Sequence, residues 1–411
     1  MAFQAGHRQG SQRKAMETLR LLTFSTLYPN AARPNHGVFV ENRLRHLVAS
    51  GEAASIVVAP VPYFPSSAPM FGEWAVNARA PSREERHGLT VLHPRYPVIP
   101  KIGMAVSPWL LYRAALPFVR RLRARGMAVD AIDAHYVYPD GVAAVWLGRR
   151  LGLPVVVTAR GTDINDIPRH AVPRRLIQGA MAGASALIAV SAALKAAMVA
   201  LGASEQDVTV LRNGVDIDIF RPPTDRAGLR ARLGLSRPTL LSVGHLIERK
   251  GHHLVVRAMA GLAGCDLLIV GEGPERRHLT ALVAELGLGD RVRLLGARPH
   301  QEMAGFYGAA DALVLASSRE GWANVLLEAM ACGTPVVATN IWGNPEVVRC
   351  AEAGVITERG ADAIAAAVAA LFADPPARAA TRAYAEGFSW DETTAGQLAL
   401  FRRVLGRPSS A

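Results

Sequence analysis

Short apolar runs alternate with amphipathic helical segments along this chain, and the alternation occurs in two separate series. The apolar runs of the first series lie at 19–26, 55–60, 131–136, 154–161, 184–191 and 208–216. Those of the second series lie at 239–245, 266–273, 292–296, 311–317 and 335–339. Runs of this length between turn residues are typical of buried parallel strands. Because strand–helix–strand is the unit of a parallel sheet, the sequence predicts an α/β protein with two doubly wound, Rossmann-like domains that face a cleft.

The length of 411 residues also indicates two domains, because a single hydrophobic core rarely grows to that size. We expect a disordered tail at 1–18, a first domain at 19–216 and a second domain at 217–390. The stretch 221–238 contains two adjacent prolines and a short arginine-rich segment. We interpret it as the connection between the domains.

Three features favour a cytoplasmic location. The first 20 residues are polar and lack the apolar core of a signal peptide. No uninterrupted apolar run reaches the roughly 20 residues that span a bilayer. The cysteines Cys265, Cys332 and Cys350 lack metal-ligand spacing and cannot all pair, which is typical of thiols in a reducing compartment.

The formal net charge of +12 predicts a polyanionic partner, which leaves nucleic acid, anionic lipid and a diphosphate-bearing substrate as classes. The chain has no evident helix-turn-helix, zinc or RNA-binding motif, so nucleic acid is not the expected partner. The segment 108–125 mixes Trp109, Leu110, Leu116 and Phe118 with a series of arginines. Our hypothesis is that it docks peripherally on the anionic inner face of a membrane. The alternative is an ordinary surface helix.

The stretch 317–339 is the most informative for chemistry. Glu320 follows an apolar run, and Asn324 is positioned to cap the next helix. The backbone N–H groups that precede and open this helix favour an anion such as a diphosphate. Glu328 lies one turn into the helix, where a carboxylate can accept hydrogen bonds from a ribose diol or a sugar hydroxyl.

This stretch, SSREGWANVLLEAMACGTPVVAT, resembles the signature of the family 4 retaining glycosyltransferases of the GT-B fold, in particular bacterial members. The resemblance extends over about 20–405 and is densest from 242 to 346. It implies that Glu320 faces the donor sugar and that Glu328 holds the ribose. The residues that it places around the sugar and the diphosphate are Gly321, Trp322, Ala323, Asn324 and Val325.

A second match is SVGHLIERKGHHLVVRAM at 242–259. Lys250 lies just before a glycine and a helix, where its ammonium can meet a diphosphate. The family has a lysine here and an arginine after the glycine that corresponds to Gly244, and the two neutralise the leaving nucleoside diphosphate. His245 stands where that arginine is expected, so either His245 or Arg249 substitutes for it. Two further donor-side residues follow from the resemblance, Gly273 in the loop GEGP and Arg293 in the base-contacting segment VRLLG.

On the first-domain side, NHGVFVEN at 35–42 resembles the family's glycine loop, and Gly37 allows a close backbone approach. His135 corresponds to a histidine that many members place near the transferred sugar. Arg160 stands where relatives have a histidine, and we expect it to attract an acceptor phosphate, with Asp163 binding an acceptor hydroxyl. The alternative for these residues is a structural role. The segment at 387–393 resembles the family's final crossing, which implies that a C-terminal helix at 391–411 packs back on the first domain.

The resemblance therefore implies a retaining hexosyltransferase. The donor is a UDP- or GDP-sugar and the acceptor a glycan or a lipid-linked saccharide, in bacterial exopolysaccharide or envelope-glycan synthesis. It implies no metal and no cofactor. The alternatives are a GT-B sugar-nucleotide epimerase and a basic nucleic-acid-binding protein.

Overall fold

The computed structural model describes residues 17–99 and 103–408. The predicted tail at 1–18 lies outside the described residues except for its last two positions. The strands are β1 (Leu19–Phe24), β2 (Ala53–Val58), β3 (Val61–Pro62), β4 (Arg83–Arg86), β5 (Leu89–Leu92), β6 (Arg95–Tyr96), β7 (Ala131–His135), β8 (Val155–Ala159), β9 (Ala186–Ala189), β10 (Val208–Val210), β11 (Thr239–Val243), β12 (Asp266–Val270), β13 (Val292–Gly296), β14 (Ala312–Leu315), β15 (Val336–Thr339) and β16 (Gly354–Thr357).

The helices alternate with these strands. They are α1 (Val38–Ala49), α2 (Glu73–Arg79), α3 (Gly103–Ala124), α4 (Val142–Leu151), α5 (Thr162–Asn165), α6 (Ala171–Gly183), α7 (Ala192–Ala200), α8 (Arg226–Arg232), α9 (His252–Ala258), α10 (Arg276–Glu285), α11 (Met303–Ala309), α12 (Asn324–Ala331), α13 (Asn344–Val347), α14 (Ala361–Ala373), α15 (Arg378–Glu386) and α16 (Trp390–Val404).

The strands form two large sheets, and the α/β prediction is confirmed. The first sheet has the order β10-β9-β8-β7-β1-β2-β5-β4, parallel except for the antiparallel pair β4 and β5. The second has the order β13-β12-β11-β14-β15-β16 and is parallel throughout. We call each sheet with its helices the first and the second domain.

The strand order reverses direction once in each sheet. The reversal lies between β1 and β7 in the first sheet and between β11 and β14 in the second. In doubly wound sheets, ligands bind at such a reversal, beyond the carboxyl ends of the strands. The loops that follow β11 and β14 therefore define the side of the second domain on which a site is expected.

The last helix, α16, packs on the first domain. Leu398, Leu400 and Phe401 belong to the same buried cluster as Leu19 and Leu44. The buried guanidinium of Arg43 donates to Gln397 Oε1 over 3.0 Å, and Gln397 Nε2 donates to Asp133 Oδ2 over 3.1 Å. These bonds satisfy polar groups that would be costly to bury alone.

Residues 61–96 form a small region for which the sequence patterns gave no expectation. It contains the parallel pair β3 and β6, helix α2, and the two strands that complete the edge of the first sheet. The Arg95 guanidinium donates to the backbone oxygens of Asn77 and Ala80 and joins α2 to β6. Two-residue strands such as these depend on such side-chain bonds because their ladders are short.

Within the described residues, no single helix has the length and hydropathy to cross a membrane, and the one pair that meets both criteria together, Ala361–Ala373 with Arg378–Val404, is bent by 111°.

Candidate functional site

A crevice between the two domains holds two adjoining cavities of about 640 and 540 Å³. Gly37 and His36 line both cavities from the first domain, and His245 and Val325 line both from the second. Cavities of this size match those that hold small molecules. We call the larger one, which contains Glu328, the outer cavity, and the smaller one, which contains Lys250 and Glu320, the inner cavity.

The inner cavity contains a lysine–carboxylate pair. Lys250 Nζ donates to Glu320 Oε1 over 2.6 Å, and Ser317 Oγ donates to the same oxygen over 2.7 Å. Burial alone would raise the pKa of the Glu320 carboxyl, but the Lys250 ammonium and these hydrogen bonds hold it below its usual range. Glu320 is therefore ionised beside a fixed cation.

Arg249 adds a second cation to the inner cavity. Its Nη1 donates to the backbone oxygen of Arg319 over 2.7 Å and lies 3.9 Å from Glu320 Oε2. Two cations beside one carboxylate leave a net positive charge for an anion.

The start of α12 borders the same cavity. Gly321, Trp322, Ala323, Asn324 and Val325 all line it. The first N–H groups of a helix have no partner within the helix, and the helix dipole makes them an anion site. The expectation that Asn324 caps this helix is wrong: Ala323 is the N-cap residue, without a side-chain bond, and Asn324 begins the helix.

Glu328 faces the outer cavity from α12. Tyr307 donates to its Oε2 over 2.7 Å, and His300 Nε2 lies 3.8 Å from its Oε1. Burial raises the pKa of the Glu328 carboxyl, although His300 and the Tyr307 hydrogen bond act against the increase. His300 packs on Phe220, with ring centroids 5.2 Å apart. The sequence patterns had identified neither Tyr307 nor His300, which belong to an unremarkable helical stretch.

The loop after β11 lies between the two cavities. Gly244 has a φ of 148°, a conformation that favours glycine, and the exposed His245 follows it. Gly271 packs against this loop, since a Cβ there would lie closer than 3.0 Å to the Gly244 oxygen. Gly273 packs in the same way against Leu246 and lines neither cavity, so the structure shows a role in loop packing, and its contact with a donor stays a prediction.

The expectation that Arg293 contacts the donor does not hold in this structure. Arg293 is exposed on β13, donates to the backbone oxygen of Leu233 over 2.9 Å, and lines neither cavity. Successive side chains of a strand point to opposite faces, so proximity in sequence to the strand end does not bring Arg293 into the crevice. Ala297 and Arg298, which follow the strand, line the outer cavity instead.

On the first-domain side, Gly37 precedes α1 with a φ of 72°. A Cβ at this position would lie closer than 3.0 Å to the backbone of Leu27, so the close approach requires glycine. The left-handed conformation also explains why α1 begins at Val38. Its neighbour His36, which the sequence patterns missed, has Nε2 3.1 Å from the Thr26 oxygen.

Arg160 lines the inner cavity opposite Lys250. Its guanidinium donates to His135 Nδ1 over 2.6 Å and to Asn213 Oδ1 over 3.1 Å. Burial, together with the nearby Arg43, lowers the pKa of Arg160 to about 9. The guanidinium is held in place by neutral acceptors and keeps its charge for an anion.

The structure places His135 and Asp163 behind the cavity wall. His135 is fully buried, with Nε2 3.2 Å from Asp133 Oδ2, and it lines neither cavity. Asp163 accepts backbone N–H groups from Val137 and Gly161, each over 2.7 Å. Neither side chain is positioned to contact a sugar or an acceptor hydroxyl. The structure makes His135 a support for Arg160, and Asp163 a support for the loop that contains Arg160.

Asn213 joins the two domains at the floor of the crevice and was also missed. Its Nδ2 donates to Asn324 Oδ1 over 3.2 Å, and its backbone oxygen accepts from Trp322 Nε1 over 3.1 Å. Since Asn213 also accepts from Arg160, one amide side chain connects Arg160 of the first domain with the start of α12 in the second.

Buried histidines predict a loss of stability in acid. Burial lowers the pKa of His135 and of His252 to about 4 in the folded chain. The unfolded chain takes up these protons near pH 6.5 and the folded chain does not. The contribution of these two histidines to stability is therefore full above that pH and is lost as the pH falls from 6.5 towards 4. At pH 5 each histidine should cost about 2 kcal/mol of unfolding free energy.

Urea unfolding at pH 7.5 and pH 5 measures this cost. We expect His135→Gln and His252→Gln each to reduce the loss, and His170→Gln, at an exposed position before α6, to leave it unchanged. Equal acid sensitivity in all three variants and the parent would contradict the assignment.

Among residues 17–99 and 103–408, no group of three or more His, Cys, Asp or Glu side chains is arranged to hold a metal ion.

Comparison with known proteins gives matches to two family models and to named relatives. Residues 37–219 match the model of Glycosyltransferase Family 4, and residues 228–388 match that of Glycosyl transferases group 1. The chain is 35% identical over 320 residues to D-inositol 3-phosphate glycosyltransferase 1 of Catenulispora acidiphila, a match that covers 70% of this chain and 76% of the relative. It is 28% identical to the putative teichuronic acid biosynthesis glycosyltransferase TuaC of Bacillus subtilis, over 85% of this chain and 88% of that protein.

Solved structures share the fold. The sucrose-phosphate synthase of Thermosynechococcus elongatus superposes with a TM-score of 0.77 at 22% identity, over 95% of this chain and 100% of that chain. Anabaena HepE in complex with UDP-glucose gives a TM-score of 0.70 at 20% identity, over 95% and 99% of the two chains.

Proposed function

This chain belongs to glycosyltransferase family 4, and we propose that it transfers a hexose from a UDP- or GDP-sugar to a glycan or a lipid-linked saccharide, with retention at the anomeric carbon. It is a transferase of the GT-B fold. The observation that supports the proposal is the arrangement of Lys250, Glu320 and Glu328 around two adjoining cavities, with the start of α12 between them.

The donor is assigned to both cavities. The nucleoside occupies the outer cavity, where Glu328 accepts from the ribose hydroxyls. The diphosphate lies beside His245, Lys250 and the first N–H groups of α12, and the sugar lies beside Glu320. Two observations support this order: His245 and Val325 line both cavities, and the inner one has the cationic surplus. The UDP-glucose complex of Anabaena HepE supports the class of donor.

The proposed reaction breaks the bond between the anomeric carbon and the diphosphate oxygen. Negative charge grows on the departing diphosphate, and fixed donors that are already aimed at that charge lower the barrier. Lys250, His245 and the helix N–H groups perform this task, so the proposal needs no metal and no cofactor. The acceptor hydroxyl attacks on the face from which the diphosphate leaves, and its proton passes to a phosphate oxygen of the leaving group.

The acceptor is assigned to the first-domain wall, beside Arg160. A guanidinium that is held by neutral partners suits a phosphate or carboxylate on the acceptor. The relative from Catenulispora is named for an inositol phosphate, and TuaC is named for teichuronic acid. Both names support an anionic acceptor, and the second supports a cell-envelope glycan.

Product analysis tests the proposal. The protein is incubated with a UDP- or GDP-hexose chosen by thermal shift, together with candidate acceptors. Mass spectrometry distinguishes a glycosylated acceptor from an isomerised donor, and the coupling constant of the anomeric proton reports retention or inversion. An isomerised donor without transfer, or an inverted product, would overturn the corresponding part of the proposal.

A substitution at Glu328 tests the donor orientation. Glu328→Gln removes the charge and keeps the shape, so it should weaken nucleotide binding by roughly 10- to 150-fold, the equivalent of about 1.5–3 kcal/mol for a charge-assisted bond. Calorimetric titration with UDP and GDP measures this. The control is Glu302→Gln, an exposed carboxylate just before α11. If both variants bind nucleotide like the parent, Glu328 does not hold the ribose.

A further inference from the structure

Exposed hydrophobic side chains are concentrated in one part of the first domain. Of the eleven large hydrophobic side chains that are exposed in the described part of the chain, eight lie in two short segments, 63–74 and the described residues of 98–109, which are 98–99 and 103–109. We call them the apolar rim: Tyr63, Met70, Phe71, Trp74, Val98, Ile99, Met104 and Trp109. Met70 is 85% exposed, Tyr63 57% and Trp109 53%. Large apolar side chains that are exposed together usually mark a surface that binds a protein or a membrane.

The two segments leave the structure at the same edge, where β3 and β6 end, and we treat them as one surface on that ground. β3 and β6 are paired in parallel, and the backbone N–H of Tyr63 donates to the Tyr96 oxygen over 2.7 Å. Segment 63–74 continues from β3. The other segment includes the first residues of α3, and α3 packs against β6. Within the first segment, the Phe64 ring contacts Phe71 and Trp74 at centroid distances of 5.2 and 5.8 Å.

The rim adjoins the mouth of the crevice. Glu73, next to Trp74, lines the outer cavity together with Arg33, and the two side chains form an ion pair of 3.2 Å. A surface that covered the rim would therefore lie beside the first-domain entrance of the crevice.

Arginines flank the rim on α3. Trp109, Arg113 and Arg120 share one helix face, since their spacings of 4 and 11 residues are near whole numbers of turns. Both arginines are exposed, and the Arg113 guanidinium lies 5.7 Å from the centre of the Trp109 ring. An aromatic side chain with adjacent cations is typical of a segment that lies at the boundary between lipid headgroups and acyl chains.

The helix cannot provide the apolar contact alone, and this corrects the expectation for segment 108–125. Leu110 and Leu116 are buried in the core, and Phe118 is half-buried. Within 108–125, the exposed face of the helix offers charge and one large hydrophobic side chain, Trp109. The apolar area comes from the rim.

We infer that the apolar rim inserts into the surface of an anionic lipid bilayer, with Arg113 and Arg120 on the headgroups, so that the crevice opens beside the membrane. The combination of exposed aromatic and methionine side chains with a row of cations favours this occupant over an apolar protein partner. The inference rests on the proposed function only in explaining why such a position is useful, namely for a lipid-linked acceptor.

Vesicle flotation of the full chain tests the inference. Vesicles of phosphatidylcholine alone are compared with vesicles that also contain phosphatidylglycerol. The parent should bind the anionic vesicles. The double variant Met70→Ser/Phe71→Ser should bind them at least about tenfold less, because it removes apolar side-chain area that would be buried in the bilayer. Arg113→Gln/Arg120→Gln should lose the preference for anionic vesicles, again by about tenfold or more.

The matched control is Val172→Ser/Ile219→Ser, which changes two exposed hydrophobic side chains outside the rim. It should bind like the parent, and all variants should keep the thermal shift that nucleotide produces. Equal, negligible binding of the parent to both vesicles would overturn the inference. So would an equal loss in the control, or self-association of the parent in sedimentation that Met70→Ser/Phe71→Ser abolishes without any vesicle binding.

Activity separates this inference from the proposed function. Transfer to a water-soluble acceptor should be the same in Met70→Ser/Phe71→Ser as in the parent, while transfer to an acceptor embedded in vesicles should fall with binding. If neither protein transfers sugar to any acceptor, the proposed function fails, and the vesicle result still decides the membrane contact.

Discussion

Lys250→Met should lower kcat by about 10²- to 10³-fold, the usual effect of removing one donor from a site that stabilises developing negative charge. The methionine keeps an unbranched side chain as far as Cε and lacks the ammonium. At about 4 Å and an effective dielectric constant near 20, a single charge pair amounts to roughly 4 kcal/mol before desolvation, which is consistent with such a loss. Steady-state kinetics at saturating donor measures kcat, and circular dichroism checks the fold.

The variant also removes the partner of Glu320, and a double-mutant cycle separates the two effects. If Lys250 acts on the diphosphate, Lys250→Met still lowers kcat in a Glu320→Gln background. If Lys250 only neutralises Glu320, the second substitution brings no further loss and the assignment fails. Lys195→Met is the matched control, because Lys195 lies on α7 and lines neither cavity.

The features of the site that could be predicted from the sequence are those set by the order of strands and loops. Lys250, Glu320 and Glu328 all follow β11 or β14, the two strands at the reversal of the second sheet. Such loops meet on one side of a doubly wound sheet, so a motif on each brings its residues to a common crevice. The α/β architecture follows from the same alternation of apolar runs and helical segments.

The features that could not be predicted depend on the direction of a side chain. His135 ends β7 and Arg293 lies within β13, yet the first points into the core and the second towards solvent. Position near a strand end leaves that direction undetermined, because it alternates with each residue. A related limit applies to α3. Its mixture of apolar residues and arginines does not show which apolar side chains the core covers, and the structure buries Leu110 and Leu116.

Residues whose role in the site depends on contacts with other parts of the chain could not be identified from their local sequence. Tyr307 lies among the buried residues of α11, where the sequence suggests only a packing role. The fold brings its hydroxyl to Glu328. Asn213 lies 111 residues from Asn324 in the chain and is in direct hydrogen-bond contact with it. An Asn-Gly pair in sequence predicts a turn, and here it also provides a bridge between domains.

Gly321→Ala should lower kcat about 10²-fold without a comparable loss of nucleotide binding. Gly321 belongs to the second domain and packs on Arg160 and Gly161 of the first. A Cβ at Gly321 would lie closer than 3.0 Å to the Arg160 oxygen, so the two domains would have to separate by on the order of 1 Å. A displacement of that size between reacting groups is enough for a 10²-fold loss.

Two measurements show whether the loss comes from separation of the domains. Water enters a crevice that closes poorly, so hydrolysis of the donor should rise relative to transfer in Gly321→Ala. Gly305→Ala, at a helical position where an added Cβ has no neighbour within 4 Å, should leave both rates unchanged and stabilise the chain slightly. A Gly321→Ala protein with the parent's kcat and the parent's ratio of hydrolysis to transfer would mean that catalysis does not require the contact between Gly321 and Arg160. The domain arrangement described here would then not be the one in which sugar is transferred.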